Sequence, residues 1–273
     1  MSKEAFFIAQ FKSKHIGDDG AVLGKSVYSK DLFCEGIHFK RDWMSLEQIA
    51  TKSMLVNISD AIAMNARPRF ALIGIVIPKH FTCKELQDLG RGFESTAKAY
   101  GIEIIGGDTT AGDKLMISVT IGSQSQKPLL RKNAQVGDLV AFTGTLGHSQ
   151  RDLTRLLRGG KLSSRSRFVT PVLKKAFIEK TGGFLHSGMD ISDGLFKDLS
   201  RLLKESGKCA MQWNKPFAKR LGCSGEEYEM LFTFSPKHQA KLQRCAKQTR
   251  TKVTIIGKIK RGHYRCVCKE HHF

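Results

Sequence analysis

The sequence predicts a mixed α/β fold in two units, each a sheet carrying helices. Three observations predict it. Short apolar, β-branched runs alternate with longer segments that open on helix-capping signals. No internal repeat or low-complexity segment interrupts that alternation. A polar stretch, Gln124 to Lys132, contains Pro128 and divides the chain, giving units of residues 1–127 and 128–273. A length of 273 residues suits one large domain or two ordinary ones.

From Ala21 to Phe39 the chain reads as strands broken by turns, with Ser26–Leu32 the strongest candidate. Ser45-Leu-Glu-Gln48 is a capping box for a helix running to about Ala66. Arg67-Pro68 ends that helix, because a residue before proline is pushed out of helical geometry. Phe70–Ile77 is a buried strand, and Thr82-Cys-Lys-Glu85 is a second capping box, for a helix to about Tyr100. Ile102–Ile105 and Leu115–Ile121 read as strands flanking a Gly-Gly-Asp-Thr-Thr turn. In the second unit, strands are expected at Asp138–Thr143, Ser187–Ile191, Tyr228–Phe234 and Val253–Ile259. Helices are expected at Ser149–Arg158, Pro171–Lys180, Asp193–Ser206 and Pro236–Gln248.

At 41% hydrophobic and 26% charged, the chain can bury a core, and nothing marks it as disordered. The first residues lack the pattern of a signal peptide, and the longest strongly apolar run is too short to span a bilayer. Seven cysteines at irregular spacings do not form a disulfide framework, so reduced thiols in a cytoplasmic protein are expected. The net charge of +20 includes basic clusters at Arg151–Arg167 and Lys237–Arg261. Such a surface is ordinarily a solvated face, or attracts polyanions generally. No nucleic-acid motif accompanies it, so a nucleic-acid partner is not expected.

The chemistry lies in acidic residues set in turns beside small residues. They occur in Gly17-Asp18-Asp19, Ser29-Lys30-Asp31, Asn57-Ile58-Ser59-Asp60, Gly106-Gly107-Asp108-Thr-Thr110 and Asp190-Ile-Ser192-Asp193-Gly194. Glycine lets backbone approach a ligand, and carboxylates supply hard oxygen ligands for magnesium, which completes its shell with water and substrate phosphates. Any one such Asp is ordinarily a turn former or helix cap. Asp60 differs, because Ala50, Ser53, Asn57, Asp60 and Met64 share one helical stripe, and an inward carboxylate needs a partner or a metal. Gly20-Ala-Val-Leu-Gly24-Lys25-Ser26 imitates a phosphate-binding loop but has three residues between its glycines where four are required.

Six motifs in order, at Gly17–Leu23, Ser29–Phe39, Asn57–Met64, Gly106–Thr110, Asp190–Leu195 and Gly225–Thr233, resemble the thiamine-monophosphate kinase family. That family belongs to the superfamily of aminoimidazole ribonucleotide synthetase and selenophosphate synthetase. The resemblance implies an N-terminal domain that dimerises through its sheet, a C-terminal α/β domain, and ATP held between them. It implies magnesium ligands at Asp19, Ser29, Asp31, Asp60, Asp108, Asp190 and Asp193. It also implies nucleotide contacts at Gly107, Asp108, Arg131 and Ser192, and substrate contacts at His38 and Glu226. Asp60, Asp108 and Asp190 would carry catalysis with several Mg²⁺ ions. The implied reaction is in-line transfer from ATP to thiamine monophosphate, giving thiamine diphosphate. The attacking phosphate oxygen is already ionised, so no general base is needed, and catalysis reduces to positioning and charge neutralisation.

Three features depart from the family pattern. Lys30 stands where threonine is usual, Cys223-Ser-Gly-Glu226-Glu227 replaces a Gly-Gly-Glu-Asp loop, and the segment between Gln212 and Leu221 is short. Glu270 stands where an aromatic residue is expected before His271-His272-Phe273. Cys266, Cys268 and the nearby histidines invite a zinc reading, but the spacing is not that of a structural zinc site. Another ATP-dependent enzyme of the superfamily is the alternative on fold grounds. A selenophosphate synthetase would carry a reactive Cys and Lys before the first Asp-Asp, and no cysteine precedes Cys34.

Overall fold

The computed structural model describes residues 3–207 and 209–268. After a short helix α1 (Lys3–Ile8), the first unit is a sheet of β1 (Ala21–Leu23), β2 (Ser26–Cys34), β3 (Arg67–Pro78), β4 (Glu103–Gly112) and β5 (Met116–Gln124), ordered β1-β2-β5-β3-β4. Helix α2 (Leu46–Ala63) precedes β3, and α3 (Cys83–Tyr100) joins β3 to its parallel partner β4. Both helices open on the expected capping boxes: Ser45 with Gln48, and Thr82 with Glu85.

The second unit contains β6 (Leu139–Thr143), α4 (His148–Leu157), α5 (Lys175–Thr181), β7 (Leu185–Asp190) and α6 (Leu195–Glu205). It continues with β8 (Cys209–Trp213), α7 (Lys219–Gly222), β9 (Met230–Phe234), α8 (Gln239–Gln248) and β10 (Val253–Arg261). Its sheet is antiparallel throughout, ordered β7-β9-β6-β10-β8.

Helix α2 lies at the centre of the architecture. It is buried almost all round, which is why it lacks a polar face. One side packs on β2 and β5, another on α3, and a third on β7 and α5. Gly92 of α3 permits the α2–α3 contact, since a Cβ there would lie 2.3 Å from the Glu47 carbonyl oxygen. One hydrophobic core runs from Phe33, Ile117 and Ile121 through Ile49, Met54 and Ile58 to Phe177, Phe232 and Phe234. A second core lies under α6, built on Leu199, Leu202, Met189 and Ile259.

Several elements differ from the sequence expectation. Helix α2 stops at Ala63 because Asn65 turns left-handed (φ 52°), and the strand starts at Arg67. Pro68 is tolerated at the start of β3, where the register shifts before Phe70. The Gly-Gly-Asp-Thr-Thr segment is not a turn: it lies inside the edge strand β4, and the chain reverses at Asp113-Lys114 instead. Gly107 is required there by packing, since a Cβ would sit 1.8 Å from the Ile73 carbonyl oxygen of β3. Residues Pro171 to Lys174 precede α5 rather than forming its first turn, with the Lys174 ammonium drawn 3.1 Å from Glu229. Strand β8 went unforeseen, because Cys-Ala-Met-Gln-Trp carries no β-branched residue.

The expectation of uniformly reduced cysteines is corrected. Cys223 and Cys268 form a disulfide, their Cα atoms 5.7 Å apart and 45 residues apart in sequence. Irregular spacing concealed a pair that only the return of the chain after β10 brings together. Cys34, Cys83, Cys209, Cys245 and Cys266 are free thiols. Glu270, His271, His272 and Phe273 lie outside the described residues.

Candidate active site

Three carboxylates converge where α2 meets the end of β7. Asp19, Asp60 and Asp190 each offer an oxygen within 4.8 Å of the others. They arrive from three places: the loop before β1, the last turns of α2, and the final residue of β7. Helical spacing from Ala50 and Ser53 turns Asp60 toward this point, as the sequence stripe indicates. Asp190 is buried, with its backbone N–H donating to Asp19 Oδ2 at 3.1 Å and the Ser59 hydroxyl donating to its Oδ2 at 2.6 Å.

Asp31 stands beside this group on β2. Its N–H donates to Asn57 Oδ1 at 2.8 Å, and the Ser29 hydroxyl donates to the Asn57 carbonyl at 3.1 Å. Asn57 therefore braces the β2 segment against α2. Lys30, the departure from the family pattern, alternates to the other face of the sheet and donates to the Ser118 hydroxyl.

Arg131 supplies the local cation. Its guanidinium donates to Asp19 and to the Gly17 carbonyl at 3.1 Å, and its backbone N–H donates to Asp18 Oδ1 at 2.7 Å. One arginine does not balance four carboxylates. Burial, then the charges of Asp31, Asp190 and Asp19, push the Asp60 carboxyl well above its ordinary range. Burial and Asp19 do the same to Asp190, against the Ser59 hydrogen bond. Burial and Asp19 raise Asp31 to about 6. A crowded set of hard oxygen donors, Asp190 buried and Asp19, Asp31 and Asp60 half-buried, with surplus negative charge is what divalent magnesium relieves. The donor set thus fits the metal.

Asp193, after β7, pairs with Arg201 at 2.5 Å and Lys197 at 3.5 Å, and its N–H donates to the buried Asp198. Burial raises Asp198 to about 7. Ser192 accepts the Glu226 N–H at its carbonyl, 2.7 Å away. His38 lies against the Phe33 ring, and its Nδ1 accepts the Cys34 N–H at 3.0 Å.

The loop before β9 closes the site. Glu226 has left-handed backbone geometry (φ 55°), and its carboxylate lies 2.9 Å from Lys52 Nζ of α2. Lys52 is fully buried, 3.8 Å above the Phe168 ring centre. The Ser149 hydroxyl and the Gly147 N–H, at the start of α4, fix the loop through the Glu226 carbonyl and the Glu227 carboxylate. Tyr228, also left-handed and buried, has its hydroxyl pushed up by burial, then by Glu226, Asp31, Asp190 and Asp60. Sequence reasoning missed Lys52, Ser59 and Tyr228 as site residues. No sequence signal marks Lys52: α2 also carries Glu47, Gln48, Asn57 and Asp60, and a lysine among them reads as a surface residue.

Asp108 and Gly107 are not brought to this group within one chain. The register Asp31–Val119–Ile73–Gly107 puts Asp108 on the opposite face of the sheet from Asp31. It is exposed and three strand spacings away, roughly 14 Å.

Comparison with known proteins gives a consistent family. Residues 17–123 match the family model "AIR synthase related protein, N-terminal domain". A thiamine-monophosphate kinase of Nitrosopumilus maritimus is 30% identical, over 80% of this chain and 76% of its own. One from Buchnera aphidicola subsp. Schizaphis graminum is 33% identical, over 90% and 84%. A solved structure described as AaThiL complexed with AMPPCP and TMP superposes with a TM-score of 0.85 at 25% identity, covering 96% of this chain and 90% of that one.

Proposed function

From a chain that belongs to the thiamine-monophosphate kinase family, we propose an enzyme that phosphorylates thiamine monophosphate with ATP to give thiamine diphosphate. The observation that carries this reading is the convergence of Asp19, Asp60 and Asp190 within 4.8 Å, beside Arg131. Asp19, Asp31, Asp60 and Asp190 would hold Mg²⁺, with Ser29 and Asp193 at its margin. When bound, magnesium neutralises the phosphates and the charge developing during transfer. Arg131 orients Asp19 and meets the phosphates of ATP, and Ser192 contacts the nucleotide. His38 and Glu226 contact thiamine monophosphate, with Lys52 holding Glu226 in place. Transfer is taken as in-line and direct, and the acceptor phosphate, already ionised, needs no general base.

The chain divides between residues 127 and 128, the ATP and metal residues lying mostly in the first part. The enzyme is a homodimer joined through the outward face of the first sheet. Tyr28, Leu32, Leu72 and Met116 are exposed on that face, more apolar surface than a lone sheet usually shows to water. In that arrangement Gly107 and Asp108 serve the site of the second copy. The reaction belongs in the cytoplasm, where ATP is available; no helix among the described residues is long and apolar enough to cross a membrane.

The test is acceptor specificity. ADP release with ATP and Mg²⁺ should require thiamine monophosphate and be absent with unphosphorylated thiamine. Equal turnover with thiamine, or release indifferent to either acceptor, would reject the reading.

A further inference from the structure

Away from the acidic group, four arginines line a cavity of about 520 Å³, whose walls are Arg151, Thr154, Arg155, Arg158, Gly160 and Arg220. Helical spacing explains three of them. Arg151, Arg155 and Arg158 fall at i, i+4 and i+7, and so share one face of α4 and its end. The chain then folds back, with the Gly160 N–H donating to the Arg155 carbonyl at 2.9 Å. A side chain at Gly160 would crowd Arg155, its Cβ only 2.7 Å from Arg155 Cγ, so glycine keeps this wall open. Arg220 comes from α7, a distant part of the sequence.

These charges are largely unspent. Arg151 leans toward Asp152 at 3.4 Å, whereas Arg155, Arg158 and Arg220 make no ion pair among the described residues. Like charges gathered in a concavity repel one another unless an anion joins them. Guanidinium groups match phosphate oxygens two at a time. The cavity has the volume of a small-molecule site, about 300–1,000 Å³. A single-strand nucleic-acid track would pair a long basic groove with aromatic stacking surfaces, and no wall residue is aromatic.

We propose that this cavity binds the di- or triphosphate group of a small phosphorylated molecule, at a site separate from the catalytic carboxylates. It gives a role to Arg151, Arg155 and Arg158, the first part of the basic cluster; Arg167, at its end, is instead paired with Glu229 at 2.9 Å. The first turn of the same helix holds Glu226 and Glu227 through Ser149 and Gly147, so the cavity and the substrate loop share α4 as a wall.

The test is calorimetric titration of the full chain with inorganic tripolyphosphate in EDTA. Without divalent cations the carboxylate group repels a naked polyanion, so saturable heat reports the arginine cavity whether or not the kinase reading stands. Arg155→Ala/Arg220→Ala should weaken binding roughly tenfold or more. Arg155→Lys/Arg220→Lys, which keeps charge and loses the planar fork, should also weaken it and guards against misfolding. Lys98→Ala/Lys247→Ala, which removes equal charge from exposed sites elsewhere, should leave it within about twofold. Three results would overturn the proposal: no saturable heat, equal loss in the lysine-to-alanine pair, or tighter arginine-dependent binding of a single-stranded RNA oligonucleotide.

Discussion

Lys52 Nζ lies 2.9 Å from Glu226 Oε2, although 174 residues separate the two in sequence. The contact ties the central helix of the first unit to the loop that the resemblance assigns to substrate. Lys52→Met leaves Glu226 without its cation and frees a strained loop. Its kcat/KM for thiamine monophosphate should fall, mostly through KM, while the fold survives because methionine fills the slot between Phe33 and Phe168. A double-mutant cycle with Glu226→Gln should show a coupling of about 1–3 kcal/mol. Strictly additive losses would mean that the two side chains act independently.

Asp60→Asn should separate activity from stability. Turnover should drop by at least about 100-fold, because a ligand for charge neutralisation is lost. The metal-free protein should become more stable at neutral pH. Asp60 has a raised folded pKa, so its ionised form is a burden to the folded state whenever the pH exceeds the unfolded value. Removing that charge should therefore raise the stability of the metal-free protein at neutral pH, burial and the charges of Asp31, Asp190 and Asp19 being what push the Asp60 carboxyl up. Denaturant unfolding in EDTA measures this, and a destabilised variant would contradict the repulsion argument.

Much of this site was legible in the sequence, and the remainder was hidden for identifiable reasons. Asp60 could be read from helical periodicity alone, and both capping boxes from four residues each. Asp19 and Asp190 were readable only as members of an ordered set, since nothing local distinguishes them from turn formers. Lys52 was obscured because a lysine is ordinarily a surface residue, and its burial depends on Phe168 and Glu226 arriving from the other unit. Glycines misled at Gly106-Gly107, where close strand packing rather than a turn demands them. The disulfide left no spacing signal.

Asp108 should depend on a second chain. If it serves the partner's site, Asp108→Asn and Asp60→Asn chains are each nearly inactive alone. Mixed in equal amounts and allowed to exchange, they should recover about a quarter of wild-type activity, since half the dimers are mixed and each has one intact site. No recovery in a preparation shown to exchange subunits would place the function of Asp108 elsewhere.

Glu85 gives a pH signature for the α3 capping box. Hydrogen bonds from the Thr82 backbone, Arg41 and the Thr82 hydroxyl lower its carboxyl to about 2. A depressed folded pKa stabilises above the unfolded value of 4.5 and is lost as pH falls toward 2. Wild type should therefore melt higher than Glu85→Gln at pH 6, with the gap shrinking between about pH 4.5 and 2. A gap constant across that range would contradict the assignment.

The Cys223–Cys268 bridge closes a loop of 45 residues. By chain entropy such a loop contributes about 4 kcal/mol. Cys268→Ser should lower the denaturant midpoint, and reductant should bring wild type to the same value without affecting the variant. Identical midpoints for oxidised wild type and variant would show that the bridge contributes no stability.

The most direct test of the central claim follows thiamine diphosphate by chromatography, with ATP, thiamine monophosphate and purified protein, in Mg²⁺ and in EDTA. The account predicts product only with Mg²⁺ and its near-complete loss in Asp60→Asn. Product in EDTA, or an Asp60→Asn enzyme as fast as wild type, would contradict a carboxylate-held metal. No product from a folded protein that binds ATP–Mg²⁺ would contradict the reaction itself.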